Sequence, residues 1–168
     1  GRTTSDFSVA DLVGAGRLDM ACRCVTNALC VSNDVRRDTR MHLVLEGPKD
    51  PPKIIMFDGA TIQGLVGDER SAAELIQKAL KAGQGLKLNE ARDVSPGIMI
   101  VKKSFEQLVR EKVETMQVFY LEKKGKDIRD TEIKQDICVV LGDYIGMPRK
   151  SEGLMERLGA EKVNISPQ

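Results

Sequence analysis

The stretch that most constrains the fold of this chain covers residues 138–148. Its first four residues, Cys-Val-Val-Leu, are apolar and suited to a strand, and Gly142, Gly146 and Pro148 follow. A short apolar run that enters a glycine-containing loop is typical of a fully buried strand that ends in a tight turn. Ligands of open α/β sheets bind at such carboxyl ends, where glycine lets the backbone approach them closely. The stretch therefore predicts either a ligand-binding loop or an ordinary strand-to-helix turn.

Short apolar runs and helical stripes alternate along the rest of the chain. We expect helices at 17–31, 71–80, 104–114 and 151–158, and strands at 41–45, 53–57, 98–101, 118–121, 138–141 and 161–165. The first helix carries one apolar stripe of Leu18, Cys22, Val25 and Leu29, and Ser71 is the expected N-cap of the second. Residues 81–95 are polar and contain two glycines, so we expect a loop there. Helices and strands in mostly alternating order predict an α/β fold with a largely parallel sheet flanked by helices. A length of 168 residues predicts one domain, 1–168.

Composition excludes several classes of protein. The 26 basic and 25 acidic residues nearly balance, so no overall field indicates a nucleic-acid partner. No apolar run approaches the length of about 18 residues that a membrane span needs, and no signal peptide is visible. Three of the four cysteines fall in the first predicted helix without the spacing of a zinc finger. We interpret them as reduced thiols of a cytoplasmic protein.

Arginine is concentrated in the segment 17–40, which contains no lysine. Its five arginines are Arg17, Arg23, Arg36, Arg37 and Arg40. The guanidinium fork matches phosphate and carboxylate geometry, so one interpretation is contact with the phosphates of a nucleic acid. The other is pairing within the chain, because Asp19, Asp34 and Asp38 alternate with these arginines.

Other motifs point away from common chemistries. The glycines match neither a nucleotide-binding P-loop nor a dinucleotide fingerprint. His42 is the only histidine, so no Ser-His-Asp set is available and no metal site is expected. The lysine-rich run 122–127 is interpreted as a solvated surface.

Three segments together resemble a known family. They are Gly-Arg-Leu-Asp-Met-Ala-Cys-Arg-Cys-Val at 16–25, continued by Ser-Asn-Asp-Val-Arg-Arg-Asp at 32–38; Ser-Pro-Gly-Ile at 95–98; and Leu-Gly-Asp-Tyr-Ile-Gly at 141–146, followed by Val-Asn-Ile-Ser-Pro at 163–167. In this order they resemble the archaeal tRNA pseudouridine-54 N1-methyltransferases of the SPOUT superfamily, over nearly the whole chain.

This resemblance implies a SPOUT-type α/β fold with a C-terminal trefoil knot, a homodimer, and S-adenosylmethionine (SAM) as cofactor. The implied cofactor-binding residues are Leu121, Gly142, Asp143, Ile145, Gly146, Met147, Ile165 and Ser166. Family members continue past the third segment into a helix that passes through the knot, whereas this chain ends at Gln168. We therefore expect the knot and the pocket to be incomplete within residues 1–168.

The implied substrate is the T-loop of tRNA, in which pseudouridine still carries a proton on N1. A carboxylate could accept this proton and an arginine could stabilise charge on the base, which makes Asp19, Asp38, Arg17 and Arg23 the catalytic candidates. Arg36, Arg37 and Arg40 are the candidates for phosphate contact. The alternative for each carboxylate is an ion pair that orients an arginine and takes no part in proton transfer. Two alternatives stay open at this stage: a catalytically silent RNA-binding protein, and a methyltransferase that acts on pseudouridine in ribosomal RNA.

Overall fold

The computed structural model describes residues 1–165 and divides the chain into two compact units, Gly1–Ser104 and Phe105–Gln168. The first unit contains helices α1 (Leu18–Leu29) and α2 (Glu69–Ala82), a short hairpin of β1 (Cys30–Val31) and β2 (Asp34–Val35), and strands β3 (Arg40–Leu45), β4 (Lys53–Asp58), β5 (Ala91–Ser95) and β6 (Ile98–Val101). Strands β3 to β6 form a four-stranded sheet in the order β3-β4-β6-β5. One core joins this sheet to both helices.

The helical stripe expected in α1 is confirmed, because Leu18, Cys22, Val25 and Leu29 are all fully buried. The cap expected for α2 is wrong. Asp68 rather than Ser71 precedes the helix, and its carboxylate accepts the backbone N–H of Ser71 at 2.6 Å. This arrangement satisfies one of the free N–H groups of the first turn.

The prediction of a largely parallel sheet is wrong for the first unit, where every strand pair is antiparallel. Seven residues join β3 to β4 and two join β5 to β6. Connections this short close hairpins, whereas a parallel pair needs a crossover of a dozen or more residues. Residues 81–95 were expected to form a loop because they are polar and contain two glycines, and this is wrong for 91–95. These residues form β5, whose polar sequence suits its place at the exposed edge of the sheet.

The second unit contains α3 (Phe105–Thr115), β7 (Gln117–Asp127), a 3₁₀ turn (Ile128–Asp130), β8 (Ile137–Val140), α4 (Arg149–Arg157) and β9 (Glu161–Asn164). Here the parallel prediction is confirmed: β7 lies between β8 and β9 and runs parallel to both. Tyr120 and Met155 are fully buried in the core of this unit, with Val109 and Val118 beside them.

Strand β8 differs from its expected full burial. Ile137 and Val139 are each 38% exposed, and the intervening Cys138 and Val140 face the core. One face of β8 is therefore open within the described residues although the side chains on both faces are apolar. No helix within residues 1–165 has the length and hydropathy needed to cross a membrane.

Candidate functional site: the carboxyl edge of the parallel sheet and the arginine end

The expected cofactor residues of the second unit meet at one edge of its sheet. Strands β7, β8 and β9 are parallel, so their carboxyl ends lie together, with β7 in the centre. Leu121 aligns with Val163 near the end of β9, residues 142–147 follow β8, and Ile165 follows β9. We call this edge the carboxyl edge. Such edges are where open α/β sheets bind ligands. Ser166, the last of the expected residues, lies outside the described part of the chain.

The loop 142–147 is a tight turn held by Asp143. The Asp143 carboxylate accepts the N–H of Ile145 at 2.8 Å, and its carbonyl accepts the N–H of Gly146 at 3.0 Å. A methyl group on Gly142 would lie 2.7 Å from the backbone nitrogen of Met147, so the turn closes only around glycine there. Gly146 has a φ of +98°, which side chains rarely adopt. Asp143 therefore shapes the loop with its side chain.

Large apolar side chains stand exposed around this turn. Leu141 is 64%, Ile145 78% and Ile165 61% exposed. Several large apolar side chains that are exposed close together indicate a binding surface. Met147 differs from these residues, because its side chain packs against the core of the unit. Only its backbone is therefore suited to contact a ligand.

Below the carboxyl edge, a buried tyrosine ties three elements together. The Tyr120 hydroxyl on β7 donates to Glu156 Oε1 on α4 at 2.7 Å, and Lys162 Nζ on β9 lies 3.6 Å from the same oxygen. Burial raises the pKa of Tyr120, and the carboxylate raises it further. The hydrogen bond from Tyr120, together with Lys162, lowers the pKa of Glu156. These contacts fix α4, which follows the loop, against the strands.

The first unit collects the phosphate candidates at one end of its sheet, where β3 begins and β4 ends. We call this the arginine end. Arg40 Nε lies 3.2 Å from the Asp58 carboxylate, and Arg37 Nη1 donates to the Gly59 carbonyl at 3.1 Å. Within residues 1–165, the exposed side chain of Arg36 makes no hydrogen bond or ion pair. It is thus the arginine most available to an anion.

Asp38 and the Ser-Pro-Gly turn at 95–97 lie at this same end. Thr39 Oγ1 donates to the exposed Asp38 carboxylate at 3.1 Å. The N–H of Asp58 donates to the Gly97 carbonyl at 2.7 Å, which joins the turn to the end of β4. The Ser95 hydroxyl oxygen is buried and has no partner among the described residues. Two of the distinctive sequence segments therefore converge here.

Arg17 and Asp19 lie at the opposite end of the same sheet. A methyl group on Gly16, next to Arg17, would lie 3.3 Å from the Cα of Gly1, so the two backbones are close. The Gly1 carbonyl accepts the N–H of Gly47 just beyond the end of β3. Arg40 begins β3, so about 17 Å of strand separates the two ends, at about 3.3 Å per residue. The structure therefore does not bring Asp19 and Asp38 together within the unit.

Neither arginine near Asp19 is available. Arg17 Nε and Nη2 donate to the two oxygens of the nearly buried Asp19 carboxylate at 2.9 and 3.0 Å, and this fork lowers the pKa of Asp19. Arg23 Nε donates to Glu69 on α2 at 2.6 Å. The pairing alternative thus holds for Arg17 with Asp19 and for Arg37 with Asp34, whose carboxylate lies 3.5 Å from Arg37 Nη2. Asp38 has no arginine partner in the described structure.

A cavity of about 370 Å³ lies elsewhere in the second unit. Its walls include Gln117 and Glu161, the first residues of β7 and β9, and all of its lining side chains are polar. It belongs mainly to the amino ends of the strands, where α/β sheets seldom bind their ligands. Among residues 1–165, no cluster of histidine, cysteine and acidic side chains could hold a metal ion.

Comparison with known proteins decides the family. The family described as "Putative SAM-dependent RNA methyltransferase" matches residues 1–168. The chain is 38% identical over 166 residues to the tRNA (pseudouridine(54)-N(1))-methyltransferase of Thermococcus gammatolerans, which covers 97% of this chain and 82% of that relative. The enzymes of the same name from Pyrococcus abyssi and Methanocaldococcus jannaschii are each 36% identical, over 99% and 98% of this chain and 84% and 82% of theirs.

The chain belongs to this family of SAM-dependent RNA methyltransferases. The resemblance seen in the three sequence segments is therefore confirmed, and so is SAM as the cofactor of the family.

Two features of this methyltransferase were missed by the sequence reasoning. One is the Tyr120–Glu156 hydrogen bond, for which periodicity gives no signal because the partners lie 36 residues apart. The other is an irregularity in β7: Leu121 and Lys126 both align with Val163, so residues 122–125 are extra. The lysines and glycine of this stretch were visible, but their place at the carboxyl edge depends on strand register.

Proposed function

We propose that this chain transfers a methyl group from SAM to N1 of pseudouridine 54 in the T-loop of tRNA. Its membership in the family and the names of its relatives support the reaction. The observation that carries the proposal is the meeting of Leu121, residues 142–147 and Ile165 at one carboxyl edge. We further propose a single cytoplasmic methyltransferase domain over 1–168, built from the two units, whose second unit contributes to a SPOUT-type C-terminal knot.

The residues of the carboxyl edge fit the proposed cofactor. Leu141, Ile145 and Ile165 offer apolar surface that could cover the adenine ring, and the glycines keep the backbone of the loop accessible. We assign cofactor binding to Leu121, Gly142, Asp143, Ile145, Gly146, Met147, Ile165 and Ser166, with Asp143 shaping the loop. Bound SAM supplies an electrophilic methyl group on a sulfonium.

The base must lose its N1 proton as the new bond forms. The N1–CH₃ bond forms, the S–CH₃ bond breaks, and the proton passes from N1 to a carboxylate. Of the two candidates, Asp38 is the better acceptor, because it is exposed and has no arginine partner within the described residues. Asp19 is held in its charged form by Arg17, which makes it a weak base. We assign Asp19 to positioning Arg17.

Arginines supply the contacts to RNA in this proposal. Arg36 has no partner in the described structure. Arg37 and Arg40 follow it in the chain, and an anion could replace their partners, Asp34 and Gly59 for Arg37 and Asp58 for Arg40. We assign these three to phosphates, which position an RNA without reading its sequence. Arg17 and Arg23 remain candidates for stabilising negative charge on the base, although each now pairs with a carboxylate.

A homodimer is supported by the apolar surface of the second unit. Ile137 and Val139 leave one face of β8 open, and Leu141 continues this apolar surface into the loop. Burial of exposed apolar surface favours association between proteins. In a symmetric dimer the same surface of each copy forms the interface.

The proposal is tested by methyl transfer to defined RNA. T-arm RNAs with pseudouridine or uridine at position 54 are incubated with the protein and SAM, and their nucleosides are measured by mass spectrometry. We expect N1-methylpseudouridine from the first RNA and no product from the second. Methylation of a pseudouridine-containing ribosomal RNA hairpin in preference to the T-arm would overturn the substrate. RNA binding without any methyl transfer would instead indicate a silent binding protein.

A further inference from the structure

The extra residues in β7 form a bulge that is fixed at the carboxyl edge. The Lys123 carbonyl accepts Asn164 Nδ2 at 2.9 Å, and the N–H of Lys124 donates to Glu122 Oε2 at 2.8 Å. A methyl group on Gly125 would lie 2.4 Å from the Val163 carbonyl carbon, so the bulge packs directly on the backbone of β9. We call residues 122–125 the lysine bulge. Its backbone is held by contacts to β9 and by the Glu122 side chain within the bulge.

The two lysine side chains of the bulge are free to act. Both Lys123 and Lys124 are exposed, and neither side chain makes a hydrogen bond or an ion pair within residues 1–165. The one acidic residue of the bulge, Glu122, accepts a hydrogen bond from the backbone of Lys124 with its carboxylate. An unpaired ammonium on a fixed backbone is suited to an anionic partner, because the backbone loses little conformational freedom when the partner binds.

The position of the bulge suggests which anion this is. It follows Leu121 directly and is bonded to Asn164, which precedes Ile165, so it lies among the proposed cofactor residues. An RNA that delivers a base to this edge also brings the sugar-phosphate backbone attached to that base to the same side of the unit. Lysine is a common contact for phosphate. The positive sulfonium of SAM would repel a lysine ammonium, so phosphate of the RNA is favoured over the cofactor as the partner of these lysines.

We propose that Lys123 and Lys124 bind backbone phosphates of the RNA substrate beside the cofactor. The inference rests on the proposed function, since it needs an RNA at the carboxyl edge. It assigns RNA contact to the second unit as well as to the arginine end of the first. It also replaces the interpretation of this run as a merely solvated surface.

The test compares two double variants of the whole chain. Lys123→Gln with Lys124→Gln removes the proposed contacts. Lys78→Gln with Lys81→Gln is the matched control, because both lysines are exposed on α2 and also lack side-chain partners in the described structure. Affinity for the pseudouridine-containing T-arm is measured by fluorescence anisotropy at several salt concentrations, and affinity for SAM is measured by calorimetry.

We expect the bulge variant to bind the T-arm more weakly and to bind SAM as the wild type does. The slope of log affinity against log salt should become shallower by about 1.4–1.8, since each phosphate contact contributes about 0.7–0.9. The control should keep the wild-type slope. An unchanged slope in the bulge variant, or an equal loss in the control, would overturn the proposal.

Two further outcomes separate this proposal from others. Weaker SAM binding with unchanged RNA binding would show that the lysines serve the carboxylate of the cofactor, and would overturn contact with RNA. If the wild-type protein methylates the T-arm but the bulge variant binds RNA as the wild type does, this inference is overturned and the proposed function is not. A wild-type protein that transfers no methyl group overturns the proposed function, and this inference with it.

Discussion

Arg17 and Asp19 form a two-point ion pair, with the guanidinium fork 2.9 and 3.0 Å from the two carboxylate oxygens. The carboxylate is nearly buried, whereas the arginine remains partly exposed. Bidentate pairs of this kind fix the direction of a guanidinium as well as its charge. The Asp19 carboxylate is thus occupied by Arg17 and orients it. This distinguishes Asp19 from Asp38, the other candidate proton acceptor, which has no arginine partner within the described residues.

Replacement of each carboxylate distinguishes a proton acceptor from a positioning residue. We expect Asp38→Asn to lower kcat by about 10²–10⁴, which is the usual contribution of a general base, with little change in KM. The matched variant Asp19→Asn should lower kcat by less than Asp38→Asn does, because Arg17 loses its orientation while the proton acceptor is kept. Steady-state kinetics on the pseudouridine-containing T-arm separate the two effects. A kcat of Asp38→Asn equal to that of the wild type would remove Asp38 from the chemistry.

The Arg17–Asp19 pair also predicts how stability depends on pH. The pair lowers the pKa of Asp19 in the folded state, so Asp19 stabilises the fold above its ordinary pKa of about 3.8. This contribution is lost as the pH falls through the lower, folded-state pKa. We expect thermal unfolding of Asp19→Asn to show a weaker loss of stability below about pH 4 than the wild type does. Identical acid profiles would show that the pair contributes no net stability.

Gly142 tests the shape of the cofactor loop. An alanine there places its methyl group 2.7 Å from a backbone nitrogen, so the turn must open. We expect Gly142→Ala to weaken SAM binding at least tenfold, measured by calorimetry. Gly153→Ala is the control, because its methyl group would meet only the flexible end of Arg157 inside α4. That variant should keep its SAM affinity and gain about 0.5–1 kcal/mol of stability, since alanine favours a helix.

Arg36 tests RNA contact at the arginine end. It has no partner in the described structure, so Arg36→Gln should leave the thermal midpoint unchanged. The salt dependence of T-arm binding should become shallower by about 0.7–0.9, the share of one phosphate contact. Arg70→Gln, which removes an exposed arginine that pairs with Glu74 on α2, should keep the wild-type slope. Equal slopes for Arg36→Gln and the wild type would contradict this assignment.

Much of the fold follows from the sequence, because apolar spacing reports which elements form. The stripe of α1 and the strands at 41–45, 53–57 and 98–101 were located within a few residues. Strand direction was not, although the short connections between β3 and β4 and between β5 and β6 already require hairpins. Strand β5 was missed, since an exposed edge strand needs no apolar face.

The sequence predicted which segments form the site but not how their residues are arranged in space. The resemblance selected residues that the parallel sheet gathers at its carboxyl edge. It could not show that Asp19 and Asp38 lie at opposite ends of a sheet, because that depends on how β3 runs between them. The nearby partners Asp19 and Asp34 were among those that the sequence offered. The distant ones were hidden, because Arg23 pairs with Glu69, 46 residues away.

The central claim is that the cofactor binds at the carboxyl edge of the parallel sheet. Titration of isotope-labelled protein with SAM, followed by backbone amide chemical shifts, tests it most directly. The account predicts the largest shifts at Leu121, Gly142, Gly146 and Ile165, with Gln117 and Glu161 at the opposite edge nearly unchanged. Largest shifts at Gln117 and Glu161, around the polar cavity, would contradict it.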